Sequence, residues 1–473
     1  MKLERKDWAI DVKRSLNDLL DLYGLGKERY SKNNYVVSDL DNTVTIFDTE
    51  EQCMIYQLQT MAFGIKPDEM KDVLLNGIED INKDLSSYGL KNCNYDMLSD
   101  DIASAYGYLY KQYGPFSEEG IDQNKKELIQ KDKYWLEFAT KIRLMYDLVC
   151  RSESEMVSYP WALYWFKGMS EKEVYDLSFK AFDYYKDKES EIVTWKGPSD
   201  LISKCGPVDY SWYSGISVSE NIKELWKAFK ENGIDVWVCS ASAMDVVKAA
   251  IDCFGLHSYC KGVLAMTNRK DEQERYLCEY DYEKGSGYYA LEDGSWQAMT
   301  TSMNTQLQGP GKVKAIRNTI FKEYDNKGPI AGFMDSSGDF NFCSEFESLK
   351  LVVCFNRANR NIKDAGALVG ELAIYQRDVL GYDLSKAEKN NETLYVLQGR
   401  NENSLRSLIA SNATIKLYES EEKLFGSKDN YEWIDKMKEN RMSTSEILNK
   451  FSMKNSGHGF LEEYNGYHSI KKE

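Results

Sequence analysis

Tyr35-Val36-Val37-Ser38-Asp39-Leu40-Asp41-Asn42-Thr43 is the stretch on which the reading of this chain turns. Tyr35–Leu40 reads as a short buried strand running into an acidic, polar loop. The run then breaks into two carboxylates one residue apart, followed by an amide and a hydroxyl. In an open parallel sheet, ligands bind outside the carboxyl ends of the strands. At such an end the Asp-x-Asp spacing lets both side chains address one crevice.

Two further strand ends repeat the pattern. Asp235-Val236-Trp237-Val238-Cys239 runs into Ser240, and Pro329–Met334 runs into Asp335-Ser336-Ser337-Gly338-Asp339. Between them, Gly311 precedes Lys312 at the start of a helical segment, Lys312–Phe321. Leu349–Cys354 is one more apolar strand. Trp8, Val12, Leu16, Leu19 and Leu20 recur on one helical face before Gly24, and Glu220–Glu231 is an amphipathic helix stopped by Gly233. Apolar strands alternating with helices predict an α/β fold, a parallel sheet with helices on both faces.

Residues 46–200 read differently, as helix after helix. Ser170-Glu171-Lys172-Glu173 is a capped start, and Lys196-Gly197-Pro198-Ser199 followed by Gly206-Pro207 marks an end. The expected organisation is a sheet core from 1–45 and 215–375, with a hairpin excursion over about 259–308. A helical cap, 46–214, is inserted after the first acidic loop, and 376–473 is a helical C-terminal extension.

Composition narrows the function. With 60 Lys and Arg against 76 Asp and Glu, the 473-residue chain carries a formal charge of −16. That field repels phosphate backbones, so no nucleic-acid partner is expected. No apolar run is long enough to span a membrane. Met1–Asp7 never reaches an apolar signal core, which predicts a cytoplasmic protein, or a secreted or envelope one if a leader has been removed. The 10 cysteines form no Cys-x-x-Cys pair and read as reduced thiols. Only three histidines exist, His257, His458 and His468, which disfavours a zinc centre and histidine base catalysis. Hydrolytic chemistry must lean on carboxylates. Several of these in one crevice repel one another unless a cation sits among them. Oxygen donors with few histidines point to Mg²⁺, and a nearby lysine and hydroxyl suit a phosphoryl group. Each piece alone has an ordinary reading as a cap or turn; the ordered set is what carries the inference.

That set resembles the haloacid dehalogenase-like (HAD-like) hydrolase superfamily, with its four motifs in order. Asp39-Leu40-Asp41-Asn42-Thr43 matches the first, Ser240 the second, Lys312 the third, and Asp335 with Asp339 the fourth, at the spacing of the phosphoserine phosphatase branch. Met334 stands where that motif commonly has glycine. Phe47-Asp48-Thr49-Glu50-Glu51, Tyr56-Gln57 and Ser240-Ala241-Ser242 further resemble phosphorylcholine phosphatases. The resemblance implies a HAD-like Rossmannoid core and a phosphoric monoester hydrolase. Asp39 would be the nucleophile, passing through an aspartyl-phosphate, and Asp41 the general acid and base. Mg²⁺ would be held by Asp39, the Asp41 backbone carbonyl and Asp335. Ser240, Lys312 and Thr43 would hold the phosphoryl group, and Asp339 would orient Lys312 or a metal-bound water.

A cap excludes water and supplies selectivity. Aromatic clusters such as Tyr159-Pro160-Trp161, Tyr164-Trp165-Phe166 and Tyr210-Ser211-Trp212-Tyr213, with Asp48 and Glu51 near the loop, fit a substrate cation. The same aromatics also fit an ordinary core. A phosphocholine-like phosphomonoester is the expected small-molecule partner. Phosphoserine or sugar-phosphate hydrolysis, phosphomutase action and an inactive ligand-binding protein are the alternatives. The oligomeric state is not readable.

Overall fold

The switch in composition along Tyr35–Thr43 places the first strand at the centre of an eight-stranded sheet. The computed structural model describes residues 1–117, 119–283, 286–358, 365–404, 407–425 and 432–455. In chain order the strands are β1 (Tyr35–Ser38), β2 (Asp235–Ala243), β3 (Gly262–Met266), β4 (Ser286–Ala290), β5 (Trp296–Ser302), β6 (Ala331–Met334), β7 (Leu351–Phe355) and β8 (Leu394–Gln398). Across the sheet they run β5-β4-β3-β2-β1-β6-β7-β8. The stretch from β3 to β8 is parallel throughout. β4 and β5 add to one edge antiparallel.

Every residue of β1, β3, β6, β7 and β8 is buried, which is why these strands are apolar without alternation. Helices flank the sheet. α1 (Ile10–Tyr23) lies on β7 and β8, and its predicted apolar face is the buried one. The order of construction reverses at β1: β2 to β5 are laid down on one side, β6 to β8 on the other. The carboxyl end of β1 is therefore the topological switch point, where a crevice opens in such sheets.

The chain leaves β1 through Thr45–Ile46 and returns through Ser217–Val218, and these two segments pair antiparallel. The residues between them carry the helices α2 (Thr49–Thr60), α3 (Tyr95–Tyr113), α4 (Lys133–Ser152), α5 (Glu155–Leu163) and α6 (Glu171–Tyr185), with a ribbon of Glu191–Lys196 and Asp209–Ser214. Of the aromatic clusters, Trp161, Trp165, Phe166 and Trp212 are buried in packing.

Three expectations are corrected. Cys93 and Cys205 are joined in a disulfide across 112 residues, so the cysteines are not all reduced thiols. The hairpin excursion does not leave the sheet altogether: β4 and β5 extend it, while the ribbon of Asn268–Lys270 and Tyr276–Tyr280 reaches the insertion, where Tyr276 N–H donates to Met169 O at 2.8 Å. The C-terminal extension is not helical throughout. Leu394–Gln398 is β8, paired in parallel with β7. A five-residue apolar run has no period to separate strand from helix, and pairing with β7 decides it. Residues 405–406, 426–431 and 456–473 of that extension, with His458 and His468, lie outside the described residues.

Candidate active site

Three strand ends and one helix start converge at the switch point. Asp39 directly follows β1, and its N–H donates to Phe333 O of β6 at 3.1 Å. Asp335 directly follows β6, and Asp339 closes the short turn Ser337–Asp339. Lys312 sits in the first turn of α7 (Pro310–Asn318), for which Gly309 has φ +52° and Pro310 supplies the first helical residue. A Cβ on Gly311 would meet Gln306 O at 1.9 Å, so only glycine lets this turn close on the preceding segment.

Lys312 Nζ donates to Asp39 Oδ1 at 2.7 Å and to Asp339 Oδ1 at 2.6 Å. Asp39 Oδ2 accepts from Thr43 Oγ1 at 3.3 Å, and Asp335 Oδ2 accepts from Arg357 Nη1 at 3.0 Å. Carboxylate oxygens of Asp39, Asp335 and Asp339 lie within 4.8 Å of one another, and all three residues are buried. Asp41 is held by a different set of partners. Its Oδ1 accepts from Thr49 N and Thr49 Oγ1, both at 2.6 Å. Its Oδ2 accepts from Ser242 Oγ at 2.8 Å and Ser240 Oγ at 3.3 Å.

The charges are strongly perturbed. Burial, then the neighbouring Asp339 carboxylate, pushes Asp39 well above the carboxylate range, while Lys312 pulls the other way. Burial raises Asp339 to about 6 against the pull of Lys312. Burial also raises Asp41, although its Thr49 and Ser242 hydrogen bonds oppose this. For Lys312, burial disfavours the charge, but Asp339 and Asp39 override it and hold the ammonium well above its ordinary range.

These groups border a cavity of about 190 Å³. Asp39, Asp41, Lys312, Asp335, Asp339 and Arg357 line it from the sheet core, and Asp48, Glu50, Tyr146 and Tyr159 line it from the insertion. Burial, then Asp41, raises Asp48 well above the usual range, and burial raises Glu50 to about 8. Burial raises both phenols, so they remain protonated.

The structure brings Asp39, Asp41, Lys312, Asp335, Asp339 and Asp48 to this cavity and holds Thr43 against Asp39. Ser240 is fully buried behind it, bonded to Asp41 and Ser242, and Ser242 is the hydroxyl that reaches the wall. Glu51 turns away, 3.6 Å from the buried Arg143, and Glu50 lines the cavity instead. Sequence reasoning named Ser242, Thr49 and Glu50 only as parts of the motif phrases and Tyr159 only within an aromatic cluster, and it missed Tyr146 and Arg357. Ser242 lies two residues beyond Ser240 on β2.

No protein-family profile matches this chain, and no curated protein matches it. Among solved structures it is similar to the crystal structure of a conserved protein of unknown function from Anaerococcus prevotii, at 26% identity and a TM-score of 0.68. That match covers 89% of this chain and 100% of the other, so it takes in the insertion as well as the sheet. A cytosolic 5′-nucleotidase IIIB bound to cytidine aligns over 80% of this chain and 91% of its own, at 12% identity and a TM-score of 0.29. That likeness is too slight to carry an argument.

Proposed function

We propose that this chain is a Mg²⁺-dependent phosphomonoester hydrolase of HAD-like type, working through an aspartyl-phosphate on Asp39. The observation that carries the reading is the buried trio Asp39, Asp335 and Asp339, with Lys312 wedged between two of its members at the carboxyl end of β1. Carboxylates so close and so buried raise one another's pKa, and a divalent cation relieves that strain. The donors are all oxygen, which fits Mg²⁺. Asp39 and Asp335, with the Asp41 carbonyl, would hold the ion, which would supply charge neutralisation at the transferring group.

The chain's own groups account for the rest. Asp39 attacks phosphorus in line, forming the Asp–O–P bond as the ester P–O bond breaks. Asp41 gives its proton to the departing oxygen, then takes one from the water that cleaves the acyl phosphate. The hydroxyls of Thr49, Ser240 and Ser242 can each donate or accept, so they tolerate Asp41 in both protonation states. Lys312 holds an equatorial phosphoryl oxygen, and Asp339 orients Lys312.

Asp48, Glu50, Tyr146 and Tyr159, which line the same cavity, fit the cationic end of a small substrate such as phosphocholine by their carboxyl oxygens and aromatic faces. Arg357 at the Asp335 side favours a second reading, a phosphomonoester with an additional anionic group such as phosphoserine or a sugar phosphate. Phosphate release from a panel of these esters, with and without Mg²⁺, tests both. Metal-dependent release is expected, with phosphocholine ranked first. Release from none of them would remove the hydrolase reading, and preference for an uncharged or anionic ester would remove the cationic pocket.

A further inference from the structure

The C-terminal segment after β8 touches the loop between the two catalytic aspartates' strand and the insertion. Arg400 is 2% exposed. Its Nη1 donates to Asn42 O at 3.0 Å, and its Nη2 donates to Asn42 Oδ1 at 3.2 Å and to Glu402 Oε1 at 2.9 Å. Asn42 directly follows Asp41 and has φ +60°, a left-handed turn that needs support in a residue other than glycine. The guanidinium fork spans both acceptors of this one residue, which a lysine cannot do.

Arg400 is itself fixed from several directions. Its N–H donates to Thr414 Oγ1 at 3.1 Å, and its carbonyl accepts from Ile415 N at 2.9 Å. Glu402, which it grips, also accepts from Lys416 Nζ at 3.0 Å and Leu417 N at 3.2 Å. Leu417 then packs with Ile46 and Phe47, where the chain enters the insertion. A charge buried this deeply is costly unless its geometry is well satisfied. Here its two Nη atoms are satisfied by Glu402 and by the backbone and side chain of Asn42, 358 residues away in sequence, while its buried Nε has no partner among the described residues.

We infer that Arg400 is a positioning residue for the proposed hydrolysis: by clamping Asn42 it fixes the angle at which Asp39 and Asp41 are presented, so that residues 400–402 and 414–417 belong to the catalytic unit. This rests on the phosphatase reading for its kinetic consequence and on the loop geometry alone for its structural one. The test uses the full chain, with Arg400→Gln and Arg400→Lys beside wild type. Two readouts are taken: kcat and KM with Mg²⁺ on the best ester of the panel, and amide hydrogen exchange of residues 39–47.

Arg400→Gln should lose about 100-fold in kcat, the scale set by misplacing reacting groups by about 1 Å, with KM little changed. Exchange at 39–47 should accelerate while β2 and β7 stay protected. Arg400→Lys keeps the charge but cannot fork, so it should show the same losses; it also decides the matter if the glutamine variant fails to fold. Unchanged kcat and unchanged loop exchange in these variants would overturn the inference. If wild type releases no phosphate, the phosphatase reading falls by itself. Loop exchange then still decides whether Arg400 holds the turn.

Discussion

Lys312 and Lys141 make nearly the same knot, one buried ammonium between two carboxylates, in two different parts of the molecule. In the insertion, Lys141 is fully buried and donates to Asp101 Oδ2 at 2.8 Å, to Glu137 and to Ser203 Oγ at 2.9 Å. Asp101 also accepts from the N–H groups of Lys204 and Cys205, at 2.8 and 2.9 Å. Its charge is absorbed by backbone, beside the Cys93–Cys205 disulfide. At the sheet, Lys312 meets Asp39 and Asp339, but Asp335, Asp41, Asp48 and Glu50 crowd the same cavity, answered further by Arg357. The lysine is alike in both places; the surplus of carboxylates facing an open space is not. A balanced knot locks a fold, whereas an unbalanced one leaves charge for a cation and a substrate to settle.

The largest effect should come from separating the two knots by mutation. Asp39→Asn should lose at least about 10⁴-fold in turnover, as nucleophile deletions do, without loss of stability, since it removes a repelling carboxylate. Asp101→Asn should do the reverse. Turnover per folded molecule should hold, while denaturant melts report a loss of about 3–5 kcal/mol from the broken buried pair. Equal activity losses in both variants would erase the distinction.

Removing the disulfide sharpens the structural side. Cys93→Ala with Cys205→Ala should cost about 2–4 kcal/mol by denaturant titration and leave turnover per folded molecule intact. On the functional side, Mg²⁺ at about 100 times its Kd should stabilise wild type by about 2.7 kcal/mol, reversed by chelator. Asp335→Asn should largely lose that response in thermal melts.

The smallest effect concerns Glu50. Its folded pKa of about 8 lies above its ordinary value of 4.5, so the folded state holds a proton that the unfolded state releases. Stability therefore falls as pH rises through that window. Glu50→Gln cannot ionise and can keep the Ala243 N–H bond. Its advantage over wild type should grow from near zero at low pH as pH rises through the window, read by melts in chelator. An advantage that does not grow with pH would mean that Glu50 is not held neutral in the fold.

The same contrast explains what could be read in advance. Asp39, Asp41, Asp335 and Asp339 were legible because each lies at or just past the end of an apolar run, and Lys312 because a glycine opens its helix. Ser240 was legible as the residue after a strand, but β2 continues to Ala243, and that extension delivers Ser242 to the wall. Among Asp48, Glu50 and Glu51, the choice depends on how α2 is rotated about its axis, and Arg143 settles it by drawing Glu51 away. Tyr146, Arg357 and Arg400 come from distant elements, and no local pattern marks them; Tyr159 was marked only as one of several aromatics. The spacing of Cys93 and Cys205 carries no pairing information by itself. β8 escaped because its run is only five residues long and carries no period, although Asn390-Asn391 and Gly399 flank it, and pairing with β7 makes the assignment instead.

The most direct measurement is an acid quench of wild type during turnover with Mg²⁺, followed by peptide mass spectrometry. The account predicts a phosphoryl group on the peptide that contains Asp39, and none in Asp39→Asn. Phosphate release with that peptide unmodified, or with the phosphoryl group on another residue, would contradict it.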